Sequence, residues 1–202
     1  MTKVITVYAQ APVAAALAEA AGVLARGGLV AFPTETFYGL AAHAMSAAAV
    51  ARIFEVKGRP GGKPVLVLVD SIAMVEVVAS RVPPRARELM AAHWPGALTL
   101  VLPARNEVPV EVTAGSGTIG VRLSPHPLAR ALVSALGAPI TAPSANPSGA
   151  PPPTTAEAVH GYFGDRLDVI LDGGATAGGA PSTVLDVTVD PPRLVRAGAV
   201  RL

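Results

Sequence analysis

The chain has 202 residues, 51% of them hydrophobic and 15% charged, with a net charge of +2. That apolar fraction excludes a disordered chain, and so small a positive excess gives no ground for a nucleic-acid binder. The absence of cysteine excludes disulfides, thiolate nucleophiles and zinc–thiolate sites.

KVITVY, Lys3 to Tyr8, reads as a short strand. PVAAALAEAAGVLARGG follows as a helix, with Val13, Leu17, Ala21 and Leu24 on one face and Gly27-Gly28 as its stop. LVAFP, Leu29 to Pro33, reads as a buried strand. MSAAAVARIFEVKG predicts a second helix with Val50, Ile53 and Phe54 facing the core and Gly58 ending it. PVLVLV, Pro64 to Val69, is apolar throughout, as a strand covered on both faces would be. A helical region from about Ser71 to His93 breaks near Pro83-Pro84, and Trp94-Pro95-Gly96 turns the chain into the strand ALTLVLP. TIGVRL, Thr118 to Leu123, alternates, so Thr118, Gly120 and Arg122 share one side and Ile119, Val121 and Leu123 the other. A helix runs from His126 to about Leu136. PITAPSANPSGAPPP reads as a short strand and a proline-rich loop. A helix near Thr155 to Phe163 and the strands LDVILD, STVLDVTVD and RLVRA finish the chain. Helices alternate with strands at first, and strands cluster at the end. This order predicts a single α/β domain with a mixed parallel and antiparallel sheet.

Two phosphate-binding motifs fail on inspection. GSGTIG, Gly115 to Gly120, has the G-x-G-x-x-G spacing, but a strand follows it where a helix is required. GGKP, Gly61 to Pro64, lacks the earlier glycine of a P-loop and has Pro64 where the metal-binding hydroxyl belongs. No G-x-S-x-G occurs. The histidines His43, His93, His126 and His160 lie more than thirty residues apart, so no protein metal site is expected. No stretch approaches the roughly 18 apolar residues of a membrane span, and the N-terminal apolar run is too short for a signal peptide. A soluble, cytoplasmic protein without membrane contact is expected.

Two short stretches share a grammar. In Lys57-Gly58-Arg59-Pro60, Pro60 favours an extended Arg59 and Gly58 lets the chain leave its helix. Lys57 and Arg59 can then aim at one point, with Lys63 reaching from beyond the Gly61-Gly62 turn. In Ser144-Ala145-Asn146, bracketed by Pro143 and Pro147, the two polar side chains again share a face. Cations from one stretch and neutral hydrogen-bonding groups from the other suit a polyanion such as a triphosphate with its metal ion. Each stretch also has a plainer reading: basic residues complement a helix C-terminus, and Ser-x-Asn between prolines is an ordinary turn.

From about Gly28 to Val200 the sequence resembles the YrdC-like family, whose members make threonylcarbamoyl-adenylate. FPTETFYGLAA, KGRPGGKPVLVLV, WPGALTLVLPA, TIGVRLSPHP, APSANPSG, DGG with APSTVLDV, and LVRAGAV follow in that family's order. The resemblance implies a twisted mixed sheet flanked by helices around a large concave cleft. It implies a reaction of ATP, L-threonine and bicarbonate that gives the adenylate and pyrophosphate. Magnesium would accompany ATP, with no organic cofactor. The product would pass to tRNA threonylcarbamoyl-transferase proteins, and contact with tRNA itself is a further implied partner. Residue by residue, Lys57, Arg59, Ser144 and Asn146 would form a catalytic tetrad. Arg59, Thr118, Ser144 and Arg196 would contact ATP, with Lys63 added to them by its place beyond the Gly61-Gly62 turn, and Thr36, Arg122 and Ser182 would hold threonine.

The resemblance has departures. Leu68 stands where many relatives place a histidine, Pro152 where many place a serine, and Ser124-Pro125 replaces a more usual Pro-x. Longer relatives carry a second C-terminal domain, so a single-domain type over 1–202 is expected. An alternative is a non-catalytic paralogue that binds tRNA or double-stranded RNA. A carbamoyl-transfer domain of the hydrogenase-maturation kind is disfavoured, because those sit in long chains with zinc-finger-like cysteines.

Overall fold

The computed structural model describes residues 1–7, 14–59 and 62–202. Tyr8, Pro12, Val13, Pro60 and Gly61, on which parts of the expected first strand, first helix and Lys57–Lys63 turn depend, lie outside the described residues. Strand β1 (Lys3–Thr6) precedes helix α1 (Ala14–Ala25). That helix buries Ala16, Leu17, Ala20, Ala21 and Leu24, the spacing of one helical face. β2 (Val30–Pro33) and β3 (Tyr38–Ala41) form an antiparallel hairpin. The sequence reading placed no strand at β3. All four of its residues are buried, so no alternation marks it. Gly39 lies against the Phe32 ring, where an added Cβ would come within 2.9 Å of Cζ.

Helix α2 (Ala47–Lys57) starts at Ser46, whose hydroxyl accepts from the Ala49 N–H, and stops at Gly58 in the left-handed conformation, φ 56°. β4 (Val67–Val69) is shorter than PVLVLV suggested, because the Val65 N–H donates to the Val112 carbonyl at 2.9 Å instead of joining the sheet. Then come α3 (Ile72–Val78), α4 (Pro84–His93), β5 (Leu98–Pro103), the short α5 (Val110–Thr113), β6 (Thr118–Leu123) and α6 (Pro127–Leu136). β7 (Ile140–Thr141), α7 (Ala156–Phe163), β8 (Val169–Asp172), β9 (Thr183–Asp186) and β10 (Arg193–Arg196) follow.

Among the described residues the strands make two mixed sheets, ordered β1-β8-β2-β3 and β10-β9-β5-β6-β4-β7. The expected single sheet is therefore divided, and prolines are the cause. β3 and the segment 139–145 still run antiparallel along a seam. The Leu40 and Ala44 N–H groups donate to Pro143 and Pro139, and the Thr141 and Ala145 N–H groups donate to Ala42 and Tyr38, all at 2.8 to 3.0 Å. Pro139 and Pro143 have no N–H to return. The Thr141 hydroxyl fills part of the gap, accepting from the Ala42 N–H and donating to the Leu40 carbonyl, each at 2.9 Å.

Side chains alternate across β2. Val30 and Phe32 pack with α1 and α6, while Ala31 packs with α2 and α7. Covering both faces with helices explains the unbroken apolar run LVAFP. A further core lies between α3, α4 and the β5–β6 pair. Among the described residues no helix is long and apolar enough to cross a membrane. The seam ends at Ser144 and Ala145, just before Asn146, and Arg122 lies near the end of β6.

Candidate functional site

Lys57, the last residue of α2, ties the two short stretches together. Its ammonium donates to the backbone carbonyls of Ser144 and Asn146. Its own carbonyl accepts from the Ser148 N–H at 2.8 Å. This corrects the expected geometry. Lys57 is helical and buried, at 5% exposure. The left-handed Gly58 then turns the chain, so Lys57 belongs to the helix and not to an extended segment shared with Arg59. Burial, with the nearby charge of Arg59 adding to it, pushes the Lys57 ammonium down to about 8.

Arg59 lies over the Phe54 ring, 5.8 Å from its centroid, and donates to the Pro64 carbonyl at 3.0 Å. Burial lowers its pKa. Lys63 is exposed, and its backbone carbonyl accepts from Arg59 Nη2 at 3.4 Å. Asn146 is buried, and its amide NH₂ donates to Ala150 at 2.7 Å and to Pro147 at 3.0 Å. The Asn146 Oδ1 is buried with no partner among the described residues. Ser144 pairs through its backbone with Gly39.

A second cluster surrounds Arg122, which is only 4% exposed. Its Nη1 donates to Glu35 Oε1, and Ser124 Oγ donates to Glu35 Oε2 at 2.6 Å. Burial lowers the Arg122 pKa, Glu35 opposes that shift, and the charge of Arg196 adds to it. Arg122 Nε is buried and unpartnered among the described residues. Arg196 donates through Nη2 to Ser182 Oγ at 3.0 Å, and Ser182 Oγ shares a hydrogen bond with Thr99 Oγ1 at 2.9 Å. Thr36 lies on the β2–β3 turn beside Glu35, its hydroxyl 3.3 Å from that of Thr34. Thr118, the first residue of β6, shares a hydroxyl hydrogen bond with Ser116 at 2.9 Å.

Glu35 and Ser124 were not anticipated as site residues. A lone glutamate between two threonines reads as a solvated turn, and its partner Arg122 is 87 positions away. Ser124, one of the departures from the family pattern, is 1% exposed and holds the glutamate. Leu68, another departure, is 1% exposed within an apolar core cluster. His126 is half-buried, and burial lowers its pKa, with Glu35 opposing. A cavity of about 390 Å³ lies beside Asp70, Arg130 and Ser134, and another of about 400 Å³ beside Arg85, His93 and Leu185; none of the sequence-predicted site residues lines either. Among the described residues no three acidic or histidine side chains converge on a metal position.

Comparison with known proteins draws these observations together. The Sua5/YciO/YrdC family model, described as "Telomere recombination", matches residues 22–198. The chain is 47% identical over 183 residues to a threonylcarbamoyl-AMP synthase of Pyrococcus abyssi. It is 46% identical over 185 residues to one of Bacillus subtilis. Each alignment covers 91% of this chain and 54% of the relative, so the chain spans about half the length of these relatives. Its fold matches that of P. abyssi Sua5 complexed with L-threonine at a TM-score of 0.94 and 45% identity, covering 98% of this chain and 58% of that one. The stretch bearing the Lys57 and Arg122 clusters is the stretch the family model matches, and the chain belongs to the Sua5/YciO/YrdC family.

Proposed function

We propose that the chain makes threonylcarbamoyl-AMP and pyrophosphate from ATP, L-threonine and bicarbonate, for modification of tRNA. One observation carries this reading in the geometry: the buried, unpartnered Nε of Arg122. Glu35 occupies Nη1 and leaves the Nε edge for a second carboxylate. A guanidinium edge recognises a carboxylate through parallel N–H···O bonds. The carboxylate of threonine fits that edge, with the hydroxyls of Thr36 and Ser182 as further contacts. The L-threonine complex of the P. abyssi relative supports the assignment.

The chemistry then follows. Threonine's amine takes up bicarbonate with loss of water to give a carbamate. A carbamate oxygen attacks the α-phosphorus of ATP, the α–β bridging bond breaks, and pyrophosphate leaves. Such a transfer needs placed charge more than a protein nucleophile. Arg59 and Arg196 supply cations near the phosphates, with Lys63 within reach along the same loop and Ser144 and Thr118 offering hydroxyls. Lys57 acts through the backbone, fixing the loop that presents Ser144 and Asn146. Magnesium carried in with ATP would neutralise phosphate charge. The adenylate passes to separate tRNA threonylcarbamoyl-transferase proteins.

The test is exchange of labelled pyrophosphate into ATP. Exchange should require both threonine and bicarbonate, and exchange without threonine would overturn the reading. Arg59→Ala should lower the rate about 30–150-fold, the equivalent of about 2–3 kcal/mol of transition-state stabilisation. An unchanged rate removes Arg59 from the mechanism.

A further inference from the structure

We propose that Glu35 is a positioning residue for the amino-acid substrate, setting the orientation in which Arg122 meets its carboxylate. The inference rests on the reading that threonine binds here, and it adds a residue to that site. Both Glu35 oxygens are engaged. Oε1 accepts from Arg122 Nη1, and Oε2 accepts from Ser124 Oγ at 2.6 Å. Ser124 Oγ itself accepts from the His126 N–H at 3.2 Å, which turns the hydroxyl proton toward Glu35. The glutamate is thus held from two directions by the end of β6 and the residues just after it.

A guanidinium is planar and rigid, so fixing one end fixes the other. With Nη1 committed to Glu35, the Nε edge is the one left to a ligand, and its buried N–H has no other partner among the described residues. Glu35 also lies next to Thr36 on the β2–β3 turn, and the Thr36 carbonyl accepts from the Gly178 N–H at 2.8 Å. The glutamate therefore links the turn carrying one threonine contact to the strand carrying the other. A competing role would be a plug, with Glu35 filling the place of the substrate carboxylate until displaced. The contacts argue against it. Glu35 and the unpartnered N–H lie at different nitrogens of the guanidinium, so the ion pair leaves that donor uncommitted.

Calorimetric titration of the full chain with L-threonine, with ATP and with L-threoninol decides the matter. Threoninol is the amino alcohol that lacks the carboxylate. In Glu35→Gln the dissociation constant for threonine should rise about tenfold, while those for ATP and threoninol stay within about twofold. Ser124→Ala, which removes one hold on Glu35 and leaves the ion pair, should shift threonine in the same direction by about threefold. It also serves as the test variant if Glu35→Gln does not fold. Tighter threonine binding in Glu35→Gln would establish the plug and overturn the proposal. Equal weakening toward all three compounds would show a merely structural role and also overturn it. Wild-type protein that binds no threonine would sink the functional reading and this inference together. Normal wild-type binding with unaffected variants would sink the inference alone.

Discussion

Arg122→Met should abolish threonine-dependent pyrophosphate exchange and also lower the melting temperature by roughly 10 °C. Both effects come from one buried group. The variant removes the proposed carboxylate contact. It also leaves the Glu35 carboxylate, 18% exposed at its side chain, without its cation. Breaking a buried pair from one side costs about 3–5 kcal/mol, and the residual exposure and the Ser124 hydroxyl place this case near 3 kcal/mol. For a chain of this length each kcal/mol moves the midpoint by about 2–4 °C. The double variant Arg122→Met/Glu35→Leu separates the two effects. With no stranded charge it should recover most of the lost stability, read by thermal melting, yet threonine-dependent exchange should stay absent. Recovery of exchange in the double variant would show that Arg122 does not bind substrate.

Lys57→Met should be the second large loss. The carbonyls of Ser144 and Asn146 would lose their charged donor, and the loop presenting both side chains would lose its anchor. The thermodynamic effect should be about 2 kcal/mol, since the cost of burying the ammonium offsets part of its hydrogen bonding. The kinetic effect should be larger, about 100-fold in exchange rate, because small misplacements of reacting groups are costly. A pH series gives an independent signature. The folded-state pKa of about 8 lies below the ordinary 10.5. Between those values the unfolded chain keeps a proton that the folded protein has lost. Stability contributed by this group therefore rises with pH from about 8 to about 10.5, and below 8 its burial penalty is present in full. Chemical denaturation across that range should show the rise in the wild type, with no corresponding component in Lys57→Met.

Much of this architecture could be read from the sequence where pattern is local. TIGVRL alternates, and β6 runs from Thr118 to Leu123 as expected. Pro83-Pro84 divides the helical region into α3 and α4, and Gly58 and Gly137 stop their helices in left-handed conformations. What escaped depends on contacts distant along the chain. β3 is buried on both faces and follows a tight turn, so YGLA carries no period. Glu35 has meaning only beside Arg122 and Ser124. Spacing suggests that Lys57 aims with Arg59 at one point, because it shows which residues are near one another and not what lies above them. The Ser144 and Asn146 carbonyls that capture it come from a segment 87 to 89 positions on.

The proline-broken seam also constrains how the chain can mispair. Pro139 and Pro143 both turn toward β3, whereas Ala142 donates toward the other neighbour, to the Leu66 carbonyl at 2.8 Å. A one-residue slip would exchange those sides. It would send the donorless positions to β4 and carry buried Ile140 out of its core cluster. A two-residue slip would withdraw the Thr141 hydroxyl from Leu40 and Ala42, where nothing else compensates for a missing amide. Placement of donorless residues thus makes one alignment of the two half-sheets better satisfied than its neighbours, and the segment that obeys this rule delivers Ser144 and Asn146 to Lys57.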